Sequence, residues 1–130
     1  MKNENLITER IKTFEDACKE LNEPASLLWA DSLPEKHRRA IIAFYKLIMI
    51  TEALNEGWTP DFLDGPQNKY WPWFYFGANA GFGSLYAYYV ASDTSAAVGA
   101  RLCYKSRSLA VYSGTQFIDL WQDYLILKEI

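Results

Sequence analysis

Two periodicities divide this chain. Up to about residue 57 and again after residue 106, apolar side chains recur every three to four positions. Between them the spacing drops to two or disappears into an unbroken aromatic run. The first helical pattern opens at Thr13, a residue able to cap, with Glu15 and Asp16 in the favoured first turn. Phe14, Ala17, Cys18 and Leu21 then share one face, and Asn22 is a stop. Residues Ile7 to Lys12 either extend this helix or precede it as a separate piece.

Ser32-Leu33-Pro34-Glu35 reads as a capping box with proline near the first helical position. It predicts a helix through KHRRAIIAFYKLIMITEALNEG, ending at Gly57 with Pro60 beyond. Ala40 to Ile50 is apolar almost all round apart from Lys46, the pattern of a helix buried on several sides. After the turn-rich stretch Thr59 to Asn68, strands are expected at Tyr70–Phe76, Leu85–Val90 and Ala100–Tyr104. Pro72 belongs at an edge or a strand start, because it has no N–H for a ladder. Ser106 caps a last helix from Arg107 to about Leu127, packed through Ala110, Ser113, Phe117, Leu120, Trp121, Tyr124 and Leu125. Gly114 inside it suggests close backbone approach. The order implies one α+β domain over 1–130: two N-terminal helices, a small three-stranded antiparallel sheet and one long C-terminal helix on one sheet face.

Composition sharpens this picture at one place. Tyr70 to Tyr89 holds ten of the 21 aromatic residues and no charge. Long enough to cross a bilayer by count, it is interrupted by Pro72, Gly77, Gly81 and Gly83, so no membrane span is expected. Burial against the helices is the default reading of the block, ahead of a protein interface and of a stacking site. Net charge is −3, unevenly spread: residues 65–118 carry Lys69, Arg101, Lys105 and Arg107 against Asp93 alone. Cys18 and Cys103 form no CxxC pair, and MKNENLITERIK lacks a secretory core, so a reduced, cytoplasmic protein is expected.

Catalytic signals are weak. His37 is the only histidine and sits among cations, with no ligand set for a metal, and no cofactor motif is present. The loop Gly77–Gly83 lacks the ending of a phosphate loop. Gly81-Phe82-Gly83-Ser84-Leu85 meets the RNA-recognition signature only in part, with Ser84 and Ala87 where aromatics are needed. The strongest candidate is Arg101-Leu102-Cys103-Tyr104-Lys105-Ser106-Arg107, which brings two cations to a capped helix start. Together with Trp58, Tyr70, Trp71 and Trp73, the residues Arg101, Lys105, Ser106 and Arg107 would form a stacking-plus-charge surface for single-stranded nucleic acid or a phosphorylated ligand. The competing reading is that Arg101 and Lys105 solvate an open sheet face and pair with acids from the helices.

Phe14-Glu15-Asp16-Ala17-Cys18, Ala53-Leu54-Asn55-Glu56-Gly57-Trp58 with Pro60, Lys69-Tyr70 with Pro72 and Phe74, and Arg101-Leu102-Cys103-Tyr104-Lys105-Ser106 carry a resemblance. It continues through Leu109-Ala110, Tyr112, Gly114, Gln116-Phe117 and Asp119-Leu120. The chain resembles a family of small uncharacterised proteins of gut Bacteroidetes and their phages or mobile elements. Relatives tend to carry charges in the last helix where this chain has Ser108, Val111 and Thr115. The resemblance implies an intracellular accessory protein and supplies no catalytic residue. The expectation is therefore a non-catalytic module that binds a protein or self-assembles through aromatic surface. The nucleic-acid or phosphorylated-ligand binder is the alternative, and an enzyme of unrecognised type comes third.

Overall fold

The computed structural model describes residues 4–61, 67–77, 81–90 and 100–126. Its elements are α1 (Glu4–Arg10), α2 (Phe14–Leu21), a 3-10 turn (Leu28–Ser32), α3 (Glu35–Asn55), β1 (Lys69–Gly77), β2 (Gly81–Val90), a second 3-10 turn (Ala100–Leu102), α4 (Arg107–Gln116) and α5 (Ile118–Leu125).

Local chemistry accounts for the helix ends. Thr13 Oγ1 accepts from Asp16 N while an Asp16 carboxylate oxygen accepts from Thr13 N, a reciprocal box that starts α2. Hydrogen bonds from the Lys12 and Thr13 donors hold the Asp16 carboxyl below its ordinary range. Asn22 stops α2 in the left-handed region at φ 56°. Residues 4–10 form a helix of their own, α1. The box expected at Ser32–Glu35 does not form. Ser32 belongs to the 3-10 turn, Leu33 before the proline is extended at ψ 149°, and Pro34 is the N-cap with no side-chain cap bond.

The expected architecture needs correction. Among the described residues the chain is mostly helical, and a three-stranded antiparallel sheet is absent: β1 and β2 make a two-stranded antiparallel ribbon. Lys69 pairs with Val90 and Phe74 with Leu85, and an irregularity between Phe74 and Phe76 precedes the Gly77–Gly81 pair. The third segment shrinks to one bridge, Tyr70 N to Tyr104 O at 3.0 Å and Tyr104 N to Tyr70 O at 2.7 Å. Proline explains why it stops there. Tyr70 turns its N–H toward Tyr104, so the next position of that parity is Pro72, which has no donor to offer. On the other side Ser106 already caps α4, and Ala100–Leu102 turns into a 3-10 helix.

The single long C-terminal helix is also corrected. It breaks at Phe117 (φ −112°, ψ 32°), three residues after the poor helix former Gly114. The break lets α5 turn its Trp121 indole onto Ser113 Oγ at 3.1 Å, and the Trp121 ring lies 5.7 Å from Phe74. Residues 78–80 of the expected Gly77–Gly83 loop, residues 62–66 of the turn-rich stretch and residue 127 lie outside the described residues, while Gly81–Gly83 open β2. So do the side chains of residues 75–90.

The core gathers Ile7 and Ile11, Phe14 and Ala17, Leu47, Ile50 and Leu54, Trp71, Tyr104, Leu109 and Trp121. Phe44 of α3 stacks on Tyr124 of α5 at 5.1 Å. Lys46, the one charge in the apolar middle of α3, lies 5.3 Å over the Phe14 ring. Tyr112 Oη donates to Thr8 O at 2.9 Å, tying α4 to α1. A polar thread crosses this core. Thr51 Oγ1 lies 2.8 Å from Tyr104 Oη, which donates to Ser113 Oγ at 2.6 Å. Burial pushes the Tyr104 phenol up to about 12.

Candidate functional site

The strand-to-helix junction is built as a helix start. Ser106 is extended (φ −146°, ψ 158°) and its Oγ accepts from Leu109 N at 3.2 Å, so one free donor of α4 is already used. Lys105 N donates to Asn55 Oδ1 at 3.0 Å, while Asn55 Nδ2 donates to Cys103 O at 2.9 Å. Buried Asn55 thus clamps the junction to the end of α3.

The eight residues expected to form one surface do not come together as one. Lys105 Nζ sits 3.8 Å from Glu56 Oε1, and Arg10 Nη2 lies 3.8 Å from Glu56 Oε2 and 3.0 Å from Glu20 Oε2. Glu56, its side chain only 9% exposed, is therefore a hub between two cations from distant parts of the chain. The hydrogen bonds that Arg10 donates to Glu20, with the carboxylates' charge, raise the Arg10 guanidinium above its ordinary range. Arg107 lies 5.7 Å over the Tyr70 ring. Arg101 is exposed and shares an open groove of about 470 Å³ with Trp58, Ile48, Glu52 and Asn55. Trp71 is buried in the core, its Nε1 without a hydrogen-bond partner among the described residues, whereas Trp73 is 36% exposed. One cation–aromatic pair results, Arg107 with Tyr70, while Arg101 and Trp58 line a common groove elsewhere. Neither Arg101 nor Lys105 lies in a strand, so neither solvates an open sheet face, but Lys105 does pair with an acid, Glu56 at the end of α3.

A different surface holds the most exposed of the large apolar side chains among the described residues. Leu28 is 75% exposed, Trp29 44% and Ile41 39%. The 3-10 turn presents the first two. Buried Ala30 anchors it, and Arg38 Nη2 donates to Asp31 O at 3.1 Å and Leu33 O at 2.7 Å, tying it to α3. The Trp29 ring meets Tyr45 edge-on at 5.0 Å, and Tyr45 meets Phe14 at 6.0 Å. Ile41 lies one turn before Tyr45 on α3 and continues the patch.

No family model, no curated protein and no solved structure matches this chain.

The sequence carried a faint mark of this patch. Leu27-Leu28-Trp29 is too short for periodicity to register and follows Pro24, so it reads as a linker between helices. Among the described residues no three His, Cys, Asp or Glu side chains gather to hold a metal ion, and His37 is exposed. No described helix is long and apolar enough to cross a membrane. Cys18 and Cys103 are free and buried, and burial raises the Cys18 thiol. A second hollow of about 300 Å³ between α3 and α5 mixes Arg38, Arg39 and Lys46 with Glu35 and Asp123. Its signs are too balanced to select an anion.

Proposed function

We propose that this protein is a non-catalytic interaction module that docks a protein chain through the Leu28–Trp29–Ile41 patch, in keeping with the accessory role that the sequence resemblance implies. One observation carries the reading. A leucine and a tryptophan are held out in solvent side by side, at 75% and 44% exposure, by a turn whose backbone is fixed from below. Scattered surface leucines are ordinary, but adjacent large apolar groups on a rigid support keep water ordered that a partner would release. An aromatic anchor of low conformational entropy beside an aliphatic knob is the composition of an interface centre.

Photo-crosslinking tests it. A benzophenone amino acid at position 28, irradiated in the producing cell, should yield an adduct with a protein chain, and Trp29→Ser should abolish that adduct while leaving far-UV circular dichroism unchanged. Irradiation that leaves only uncoupled monomer would overturn the reading.

The binder of single-stranded nucleic acid or a phosphorylated ligand is the second reading, favoured by the cation–ring pair Arg107–Tyr70 and by the groove that Arg101 and Trp58 line. It is weaker because Lys105 is engaged by Glu56 and Trp71 is buried. Tryptophan fluorescence titrated with short oligonucleotides should respond, with a salt dependence removed by Arg101→Ala and Arg107→Ala together. A flat titration at low salt refutes it.

A further inference from the structure

We infer that the occupant of this patch is a second copy of the same chain, with α3 lying antiparallel to the partner's α3 across a two-fold axis near Tyr45. The inference rests on the docking reading above and names its partner.

The outer face of α3 carries Arg38, Ile41, Tyr45, Ile48 and Glu52, at alternating steps of three and four. That spacing makes one straight seam, about 21 Å from end to end at 1.5 Å per residue. It is distinct from the core-facing set Ala43, Leu47, Ile50 and Leu54, all of them buried. Ile41 is exposed and Tyr45 and Ile48 are half-buried, so the seam keeps apolar area to lose. Ile48 and Glu52 carry it into the groove beside Trp58, and Trp29 leans edge-on against Tyr45 at its middle, adding its own exposed ring to the surface.

The order along this seam is nearly palindromic in shape and opposite in charge: cation, isoleucine, tyrosine, isoleucine, anion. A two-fold axis at Tyr45 sets Ile41 of one chain against Ile48 of the other. It also brings Arg38 toward Glu52, twice. A parallel arrangement would set Arg38 on Arg38 and Glu52 on Glu52. Closed two-fold pairing is the commonest route to a finite assembly, and it requires this kind of self-complementarity. Arg38 spends Nη2 on the 3-10 turn, which leaves Nη1 for a carboxylate.

The charge placement gives an independent argument. A helix favours acids at its N-terminus and bases at its C-terminus. The opening turns of α3 carry Lys36, Arg38 and Arg39 against Glu35, and its last turn has no base. Glu56, just beyond that end, is compensated by Arg10 and Lys105, whereas Glu52 is exposed. Charges of the wrong sign at both ends of one helix become favourable when an antiparallel copy lies alongside, because its dipole and its side chains run the other way.

Sedimentation equilibrium of the full chain across the micromolar range should show a monomer–dimer equilibrium. Ile41→Asp should weaken it by roughly tenfold or more with unchanged circular dichroism. Mixed oxidation of Ile41→Cys and Ile48→Cys chains should give the heterodimeric disulfide faster than either chain couples to itself, and the buried Cys18 and Cys103 keep the background low. Ile41→Cys coupling to itself as fast as to Ile48→Cys would overturn the antiparallel arrangement. A chain monomeric throughout, with position 28 still cross-linking to a different protein, would overturn self-pairing and leave the docking reading intact. Monomer with no adduct would remove both.

Discussion

Replacing Ser113 by alanine should be costly for so small a change. Ser113 Oγ accepts from two buried donors, Tyr104 Oη at 2.6 Å and Trp121 Nε1 at 3.1 Å, and all three residues are fully buried. Without the serine hydroxyl, Tyr104 can turn its O–H to Thr51 Oγ1, 2.8 Å away, so that side loses one hydrogen bond, about 0.5–1.5 kcal/mol. Trp121 Nε1 has no such alternative and becomes a buried, unpaired donor, at about 1–3 kcal/mol. The total is about 1.5–4.5 kcal/mol. With 130 residues and about 2.1 cal/mol/K of unfolding entropy each, a loss of about 3 kcal/mol lowers Tm by roughly 11 °C. Tyr104→Phe removes an oxygen instead, and Thr51 and Ser113 keep hydroxyls free to rotate toward other acceptors, so it should cost less, about 1–2 kcal/mol. Urea unfolding of both variants, with the double variant completing the cycle, measures the ranking and the coupling. If Ser113→Ala costs less than Tyr104→Phe, or less than about 1 kcal/mol, the thread is not stabilising the junction of α3, α4 and α5.

Alkaline titration probes the same residue from the other side. The Tyr104 phenol is raised from 10.0 to about 12 in the folded chain, so the unfolded chain loses that proton first and stability falls as pH rises from 10 toward 12, by about 3 kcal/mol at most. Tyr104→Phe should flatten that limb in a series of denaturant melts, and an equally steep limb would refute the assignment. At the acid end the Asp16 carboxyl is held below 3.8 by the Lys12 and Thr13 donors, so its contribution is present above that value and lost as pH falls below it. Thr13→Ala should cost about 1 kcal/mol near neutral pH, read by thermal melting, and an unchanged Tm would discount the cap. Asn55→Ala removes both clamps on the junction and should cost about 2–3 kcal/mol, with amide exchange rising first at Lys105; slow exchange there in the variant would refute the clamp.

What could be read from the sequence was the chemistry that acts within four residues. Thr13, Asn22 and Ser106 end or begin helices through atoms on their near neighbours, so each is visible in the local string. Failures arose where a distant partner decides. Ser32-Leu33-Pro34-Glu35 has the composition of a box, but the preceding Leu28–Ser32 turn claims the serine and moves the helix start past the proline. Ala100–Tyr104 alternates like a strand, yet a strand needs a donor across from it, and β1 offers Pro72 at the position where the ladder would continue. Nothing local marks Glu56 as the meeting point of Arg10, 46 residues before it, and Lys105, 49 residues after. That convergence dissolved the expected cation cluster, since Lys105 is compensated from within the fold.

The aromatic run itself then has a structural account at its start. A strand with one solvated face alternates apolar and polar, whereas one covered on both faces reads as a continuous apolar string. The opening of β1 is of the second kind. Lys69 and Trp71 are buried on one parity, while Pro72 is buried and Phe74 half-buried on the other, against Trp121. Even the lysine complies, its Nζ turned back onto Gln67 O at 2.9 Å. Cover gives out by Trp73, which is 36% exposed. Apolar composition over this stretch is thus already spent on the core and calls for no ligand. Among the described residues the most exposed large apolar side chains are Leu28, Trp29 and Ile41, on a turn and on α3. Covering large apolar groups left in water is favourable in free energy, and the proposed antiparallel copy would cover them with the charge order of α3 matched end to end.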